Sequence, residues 1–241
     1  MKHLTAIIFS LAIVIAAYFL GNAYVKRANP PQLITVTGLG NENFTSDLIV
    51  WEGRFTANNY DLKMAFEELN RQKDIVRDYL GSKGIAAERI IFNSVQTIEQ
   101  RDNKYDNGNF IGSTFRGYQL SQSVQIESTD VAKLEGVSRE ITELLNKGVQ
   151  FNSSPPRYYY TKLSDLKIEM ISKATEDARI RAEKIAENSG GSLGDLISAR
   201  MGVFQITGQN SGEDFSWGGA YNTSSKNKTA SITMKLEYDV N

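Results

Sequence analysis

The sequence predicts an α+β fold of mainly antiparallel sheet, with two long helices and one shorter helix packed on it, preceded by an N-terminal transmembrane or signal helix. Three observations carry this expectation. Stretches in which apolar and polar residues alternate recur along the chain and end on glycine or polar clusters, as strands do. Two longer stretches, 61–81 and 164–189, space their apolar residues three and four apart and stop at glycine, as amphipathic helices do. Residues 4–20, LTAIIFSLAIVIAAYFL, carry no charge.

The first strand reads from QLITVTGLG (32–40), where Gly38 and Gly40 predict a turn with unusual backbone angles. DLIVWEGRFTA (47–57) is the second, with Leu48, Val50, Gly53 and Phe55 assigned to one face. In the helix that follows, Leu62, Ala65, Phe66, Leu69, Val76, Tyr79 and Leu80 form the inner face. Asn59 or Asp61 caps its start, and Gly81 or Gly84 ends it. RIIFNSVQTIEQ (89–100) reads as one strand, RDNKYDNGNFIGS (101–113) as a polar loop, and TFRGYQLSQSVQIES (114–128) as the strand completing a hairpin. Asp130 caps the shorter helix, with Val131, Leu134, Ile141, Leu144 and Leu145 inward and Gly148 as its stop. Pro155-Pro156 interrupt VQFNSSPPRYYYTKL (149–163), which places that strand at an edge or bulge.

In the helix over 164–189, Ile171, Ala174, Ala178, Ala182 and Ile185 are expected to be buried. Small alanines let a helix backbone lie close to a sheet. Glu169–Lys173 and Asp177–Arg181 are acid-before-base pairs one turn apart on the wet face. Gly190-Gly191 supply the left-handed cap. SLGDLISARMGVFQI then returns as a strand, and TASITMKLEYDV (229–240) closes the sheet. Each half of the chain thus runs strand, long helix, glycine stop, strand, and GSKGIAAERIIF and SGGSLGDLISAR are counterparts in a coarse pseudo-repeat.

Extended to Val25, the N-terminal run would reach roughly 33 Å as a helix, enough to cross a bilayer core. Two readings compete: an uncleaved anchor, or a signal peptide cut after Ala23, where Gly21-Asn22-Ala23 has suitably small residues. Orientation stays open, because Lys2 and the terminal amine nearly balance Lys26-Arg27. Asn29-Pro30-Pro31 is a stiff spacer. The expected organisation is an anchor or signal segment at 1–27, a linker at 28–32 and one domain at 33–241.

Several chemistries are excluded by composition. The chain has no cysteine, so it forms no disulfide, thiolate nucleophile or zinc–sulfur site. Its one histidine is His3, which removes His-based catalytic triads from the folded part. A net charge of −1 without a Lys/Arg block gives nucleic acid nothing to track, so no nucleic-acid partner is expected.

The order of landmarks carries a resemblance: ITVTGLG early, GIAAERI after the first long helix, GYQLSQSVQI running into DVAKLEGVSREI, then KATEDARIRAEKIAENSGGSLGDLISA, and a final ITMKLEY. The most specific piece is A-x-x-D-A-R-x-x-A-x-x-[IL]-A, filled by Ala174, Asp177, Ala178, Arg179, Ala182, Ile185 and Ala186, followed by Gly190, Leu193 and Gly194. This resembles the SIMPL domain family over about residues 33–240. One departure is Ser46-Asp47, where the family often has Pro-Asp. The resemblance implies a bacterial cell-envelope protein, secreted or anchored, with some members linked to oxidative-stress tolerance; it implies no catalytic residues.

The candidate sites follow from these limits. Asp102, Lys104, Asp106 and Gly108 only faintly suggest a calcium loop, because Lys takes an acceptor position and Ser113 stands where Glu is needed. The TGLG stretch lacks the third glycine of a phosphate-binding turn. Arg157 with Tyr158 and Tyr160 has the composition of an interface. Phe215, Trp217 and Tyr221 are embedded in an otherwise polar stretch, 207–227, where a plain linker rarely holds three aromatics. No catalytic, metal or cofactor residues are expected. The expectation is a non-enzymatic envelope protein acting as a homo-oligomer or on an envelope protein partner, held to the membrane through its N-terminal helix. The alternative is a small-ligand or cell-wall-component binding module using loops 101–113 and 207–227.

Overall fold

The computed structural model describes residues 2–28, 32–214 and 216–241, with side chains at 10–24, 32–214 and 216–241. Asn29, Pro30 and Pro31 of the expected linker, and Phe215 of the expected interface, lie outside the described residues. The elements are α1 (Lys2–Ala28), β1 (Leu33–Thr45), β2 (Leu48–Asn59), α2 (Leu62–Ser82), β3 (Ile90–Phe92), β4 (Gln96–Asp106), β5 (Asn109–Ser128) and α3 (Val131–Glu140), which tightens into a 3₁₀ turn over Ile141–Lys147. Then follow β6 (Phe151–Ser153), β7 (Arg157–Tyr159), α4 (Leu163–Asn188), β8 (Leu193–Met201), β9 (Gln205–Gly208) and β10 (Asn227–Val240). The fold is α+β with mainly antiparallel sheet, as the sequence predicts. Among the described residues, no helix is long and apolar enough to cross a membrane.

The chain divides into two compact units, one of residues 1–41, 169–203 and 232–241, the other of 42–168 and 204–231. In the first unit β10 lies between β1 and β8, and β8 pairs with it antiparallel from Met234↔Met201 to Val240↔Leu193. The helix α4 lays a strict stripe of Met170, Ala174, Ala178, Ala182 and Ala186 inward, all fully buried. Ile171 and Ile185, expected in that stripe, each sit one residue off it, on opposite sides, partly buried and exposed respectively. Gly38 and Gly40 make no turn; both lie inside β1. Their role is close approach, since a methyl group on Gly38 would stand 2.1 Å from the Ala174 carbonyl oxygen, and one on Gly40 2.3 Å from that of Met170. The alanine ladder and the strand glycines are thus two halves of one contact. Asp177 fastens it: its Oδ2 accepts the Leu39 N–H at 2.8 Å and pairs with Arg181 at 3.0 Å.

The second unit holds a six-stranded sheet in the order β3-β5-β2-β6, with β4 also on β5 and β7 also on β2. The inward face of β2 is Ile49, Trp51, Gly53, Phe55 and Ala57, so Leu48 and Val50 fall on the other side; the alternation has one parity throughout. Gly53 leaves room for the Phe151 ring, which stacks between Trp51 and Phe55. From α2 come Ala65, Leu69, Val76, Tyr79 and Leu80, and from α3 and its 3₁₀ turn Val131, Leu134, Val137, Ile141 and Leu144. Leu62, Phe66 and Leu145, expected inward, are exposed. Asp61 caps α2 by accepting the Met64 N–H, and Asp130 caps α3 through Lys133 N–H.

Both long helices stop the same way. Gly84 and Gly190 take positive φ, and the next residue bonds back five places, Ile85 N–H to Leu80 O and Gly191 N–H to Ala186 O. The segment 89–100 is not one strand but two, β3 and β4, because the register against β5 slips by one residue between Phe92↔Val124 and Gln96↔Ser121. The segment 101–113 is not a loop: β4 and β5 stay paired to Asp106↔Asn109, and only Asn107-Gly108, both at positive φ, make the turn. Asn-Gly is the pair that a two-residue hairpin turn demands.

Candidate interaction surface

Two features of the second unit present aromatic side chains to solvent. The first is the segment between β9 and β10, residues 209–226, which buried polar groups hold in place. Gln205 reads its backbone: Nε2 donates to Ser216 O at 2.7 Å, and Oε1 accepts from Ala220 N–H at 2.6 Å and Ser216 N–H at 3.3 Å. Glu213 accepts the Gly208 N–H at 2.9 Å and an Asn222 amide N–H, and these hold its carboxyl below the usual range. Tyr221 bridges back to Ile206, and Thr223 O accepts the Tyr158 N–H at 2.7 Å.

At the centre of this network is Lys228, only 1 % exposed. Its ammonium donates to Tyr158 O at 2.7 Å and to Asn222 O, and lies 5.7 Å from the Tyr221 ring centre. Burial brings its pKa down to about 8, against the nearby Glu213 charge, which acts the other way. The loop displays Trp217, which is 100 % exposed.

The structure joins the two groups of predicted interface residues through this network, but it does not make one exposed patch of them. Tyr158 is buried in the core, its hydroxyl donating to Glu135 at 3.2 Å. Glu135 also accepts from Lys226, which keeps the carboxylate ionised to lower pH. Tyr160 packs on Phe44 with ring centres 4.8 Å apart. Tyr221 is half-exposed, and desolvation raises the pKa of its phenol, opposed by the Tyr160 N–H donating to it. Arg157 and Trp217 face solvent. Gln205, Glu213 and Lys228 were not evident as anchors from sequence. One cue did exist: Lys228 has the same strand parity as the inward Ala230 and Ile232.

The second feature is an arm. Beyond Tyr118, β5 leaves β2, and residues 109–117 of β5 pair only with β4 among the described residues. Two bulges, at Arg116 and Ile111, re-aim side chains so that Tyr118, Phe115 and Phe110 face Glu99, Arg101 and Tyr105 across the ladder. One face of the ribbon is therefore aromatic. Phe115 meets Tyr118 at 5.2 Å and Tyr60 at 5.9 Å, and Tyr105 meets Phe110 at 5.9 Å. Tyr105 and Phe110, at the tip, are 62 % and 60 % exposed. Asp102 of the faint calcium pattern is paired with Arg116 at 2.6 Å. Among the described residues no group of three or more acidic or histidine side chains is placed to hold a metal ion.

No curated protein is matched by this chain. The model of the SIMPL family, described as "Protein of unknown function (DUF541)", matches residues 34–239, and the chain belongs to that family.

Proposed function

We propose that this chain is a non-enzymatic cell-envelope protein that works by self-assembly or partner binding. It is held to the membrane through its N-terminal helix, with the folded part on the periplasmic or extracytoplasmic side. The anchor reading rests on the uncharged run at 4–20 and the helix over Lys2–Ala28. The assembly reading rests on one observation: a two-stranded ribbon with an aromatic face and, among the described residues, no third strand beside it. Such a ribbon is marginal alone in water, and exposed aromatic patches on ordered elements mark places where another surface docks. Protection against oxidative stress, carried over from the family resemblance, is the physiological setting we attach to this reading.

A second reading, a small-ligand or cell-wall-component binding module, is favoured by the loop that displays Trp217 on a buried polar scaffold. An aromatic ring held out on ordered backbone is a stacking platform with little ordering left to do on binding. The mass of the full-length chain in detergent, measured by light scattering across a concentration series, separates the two. A discrete oligomer is expected. A monomer at every concentration would discard self-assembly and leave the binding module.

A further inference from the structure

The root of the arm carries a feature that matches its tip. Between the start of α2 and the ribbon lies a groove of about 620 Å³, lined by Leu62, Phe66, Val95, Thr97 and Leu120, with Asp61 and Lys63 on its rim. Thr97 and Leu120 face each other across the ladder, two pairs before Glu99↔Tyr118 in register. They lie on the same face of the ribbon as Tyr118, Phe115, Tyr105 and Phe110. One surface thus runs from an apolar groove at the root to an exposed pair of aromatic rings at the tip.

We infer that two copies of this chain exchange arms, the tip of each ribbon seating Tyr105 and Phe110 in the groove at the root of the other. The inference rests on the self-assembly reading above and names its contact. The arm's own tip cannot fill its own groove, because the ladder between them is continuously paired and eight residues, at about 3.3 Å each, keep them roughly 26 Å apart. A second copy can. A two-fold axis parallel to the plane of the ribbon, perpendicular to its strands and passing above its aromatic face midway along the arm, lays two arms face to face and antiparallel and brings each tip to the other's root. That contact is self-complementary and closes at two copies.

The size of the surface suits this. Tyr60, Leu62, Phe66, Tyr105, Phe110 and Ile111 are each about half exposed or more. At about 100 Å² apiece, roughly half of what large side chains bury, they offer about 600 Å² per copy. The walls of the contact add to this, approaching the ~800 Å² per partner of a standard stable interface. Charge is balanced along the same face as well: the rim offers Asp61 and Lys63, and Glu99 and Arg101, paired at 3.0 Å, lie between the groove and the tip.

The chain has no native cysteine, so introduced ones report cleanly. One full-length preparation in detergent carries Phe66→Cys and a second, differently tagged, carries Phe110→Cys; the two are mixed and oxidised. Lys63→Cys replaces Phe66→Cys should the latter fail to fold, since Lys63 is 84 % exposed in its side chain. A disulfide between the two tags is expected. In the same detergent, Tyr105→Asp with Phe110→Asp should weaken the two-copy species at least tenfold, with the circular dichroism spectrum kept. An oligomer that persists in the tip variant and gives no cross-link overturns arm exchange while leaving self-assembly standing. A wild-type monomer at every concentration overturns both.

Discussion

A methyl group placed on Gly38 would sit 2.1 Å from the Ala174 carbonyl oxygen and 2.4 Å from the Ala178 amide nitrogen, both rigid backbone. Gly38→Ala and Ala178→Leu should therefore each lower stability by about 1–3 kcal/mol or more, read by urea denaturation. Unchanged midpoints would remove close packing as the reason for these small residues. Asp177 adds a pH-dependent clasp to the same contact. The Leu39 N–H first, then Arg181, hold its carboxyl below the ordinary range. Its contribution is present above the unfolded carboxylate range of about 4 and is lost as pH falls through the lowered value. Asp177→Asn should thus be less stable than wild type at pH 7, and the gap should narrow in acid. Lys228 gives a slope of the same sign in an alkaline window. Between its folded value of about 8 and the unfolded value near 10.4, only the unfolded chain holds the proton, so stability rises with pH there. Lys228→Met should abolish that rise and speed amide exchange across 207–227, because Tyr158 O and Asn222 O lose their donor. The alanine ladder was legible from its spacing. Its partner was not, since Gly38 and Gly40 read locally as a turn, and the residues of α4 that need their missing side chains lie at 170–178, far along the chain.

Capping showed in the sequence at nearly every helix end, because Asp61, Asp130, Gly84, Gly148 and Gly190 act on backbone groups a few residues away. The arm did not show. A ribbon wet on much of both faces has no core to alternate against, so its composition resembled a loop, although Asn107-Gly108 announced the turn. Replacing that pair by Ala-Ala forces two residues with side chains into positive φ. The tip should then fray, and amide exchange between residues 101 and 116 should accelerate, while the β2–β5 ladder keeps its protection. Uniform loss across the sheet would mean that the arm and the sheet unfold together. The split of 89–100 into β3 and β4 was hidden for a similar reason. It depends on a one-residue slip in register against β5, some thirty residues on, with Gln122 reaching the Asn93 carbonyl at the break.

For the whole molecule, the open alternatives are anchored or cleaved, and assembled or single. An uncleaved anchor should keep the chain with membranes through alkaline carbonate extraction, with its intact mass beginning at the first residues. Release as a species starting near Tyr24 would make the N-terminus a signal peptide instead. Fold class and family were readable because they depend on periodicity and landmark order, which survive without knowledge of distant contacts. The interaction surface depends on which aromatic rings remain uncovered, and only packing decides that. The two tryptophans illustrate the point. Trp51 is sealed in the core with its Nε1–H on Ser153, and Trp217 stands wholly in water. The protein therefore carries two built-in fluorophores of different colour. Trp51 should emit toward the blue and resist iodide, reporting only on unfolding. Trp217 should emit toward the red and be quenched freely. Any surface that covers the loop will shift and shield that red component alone, so occupancy and fold integrity can be followed in one cuvette without a label.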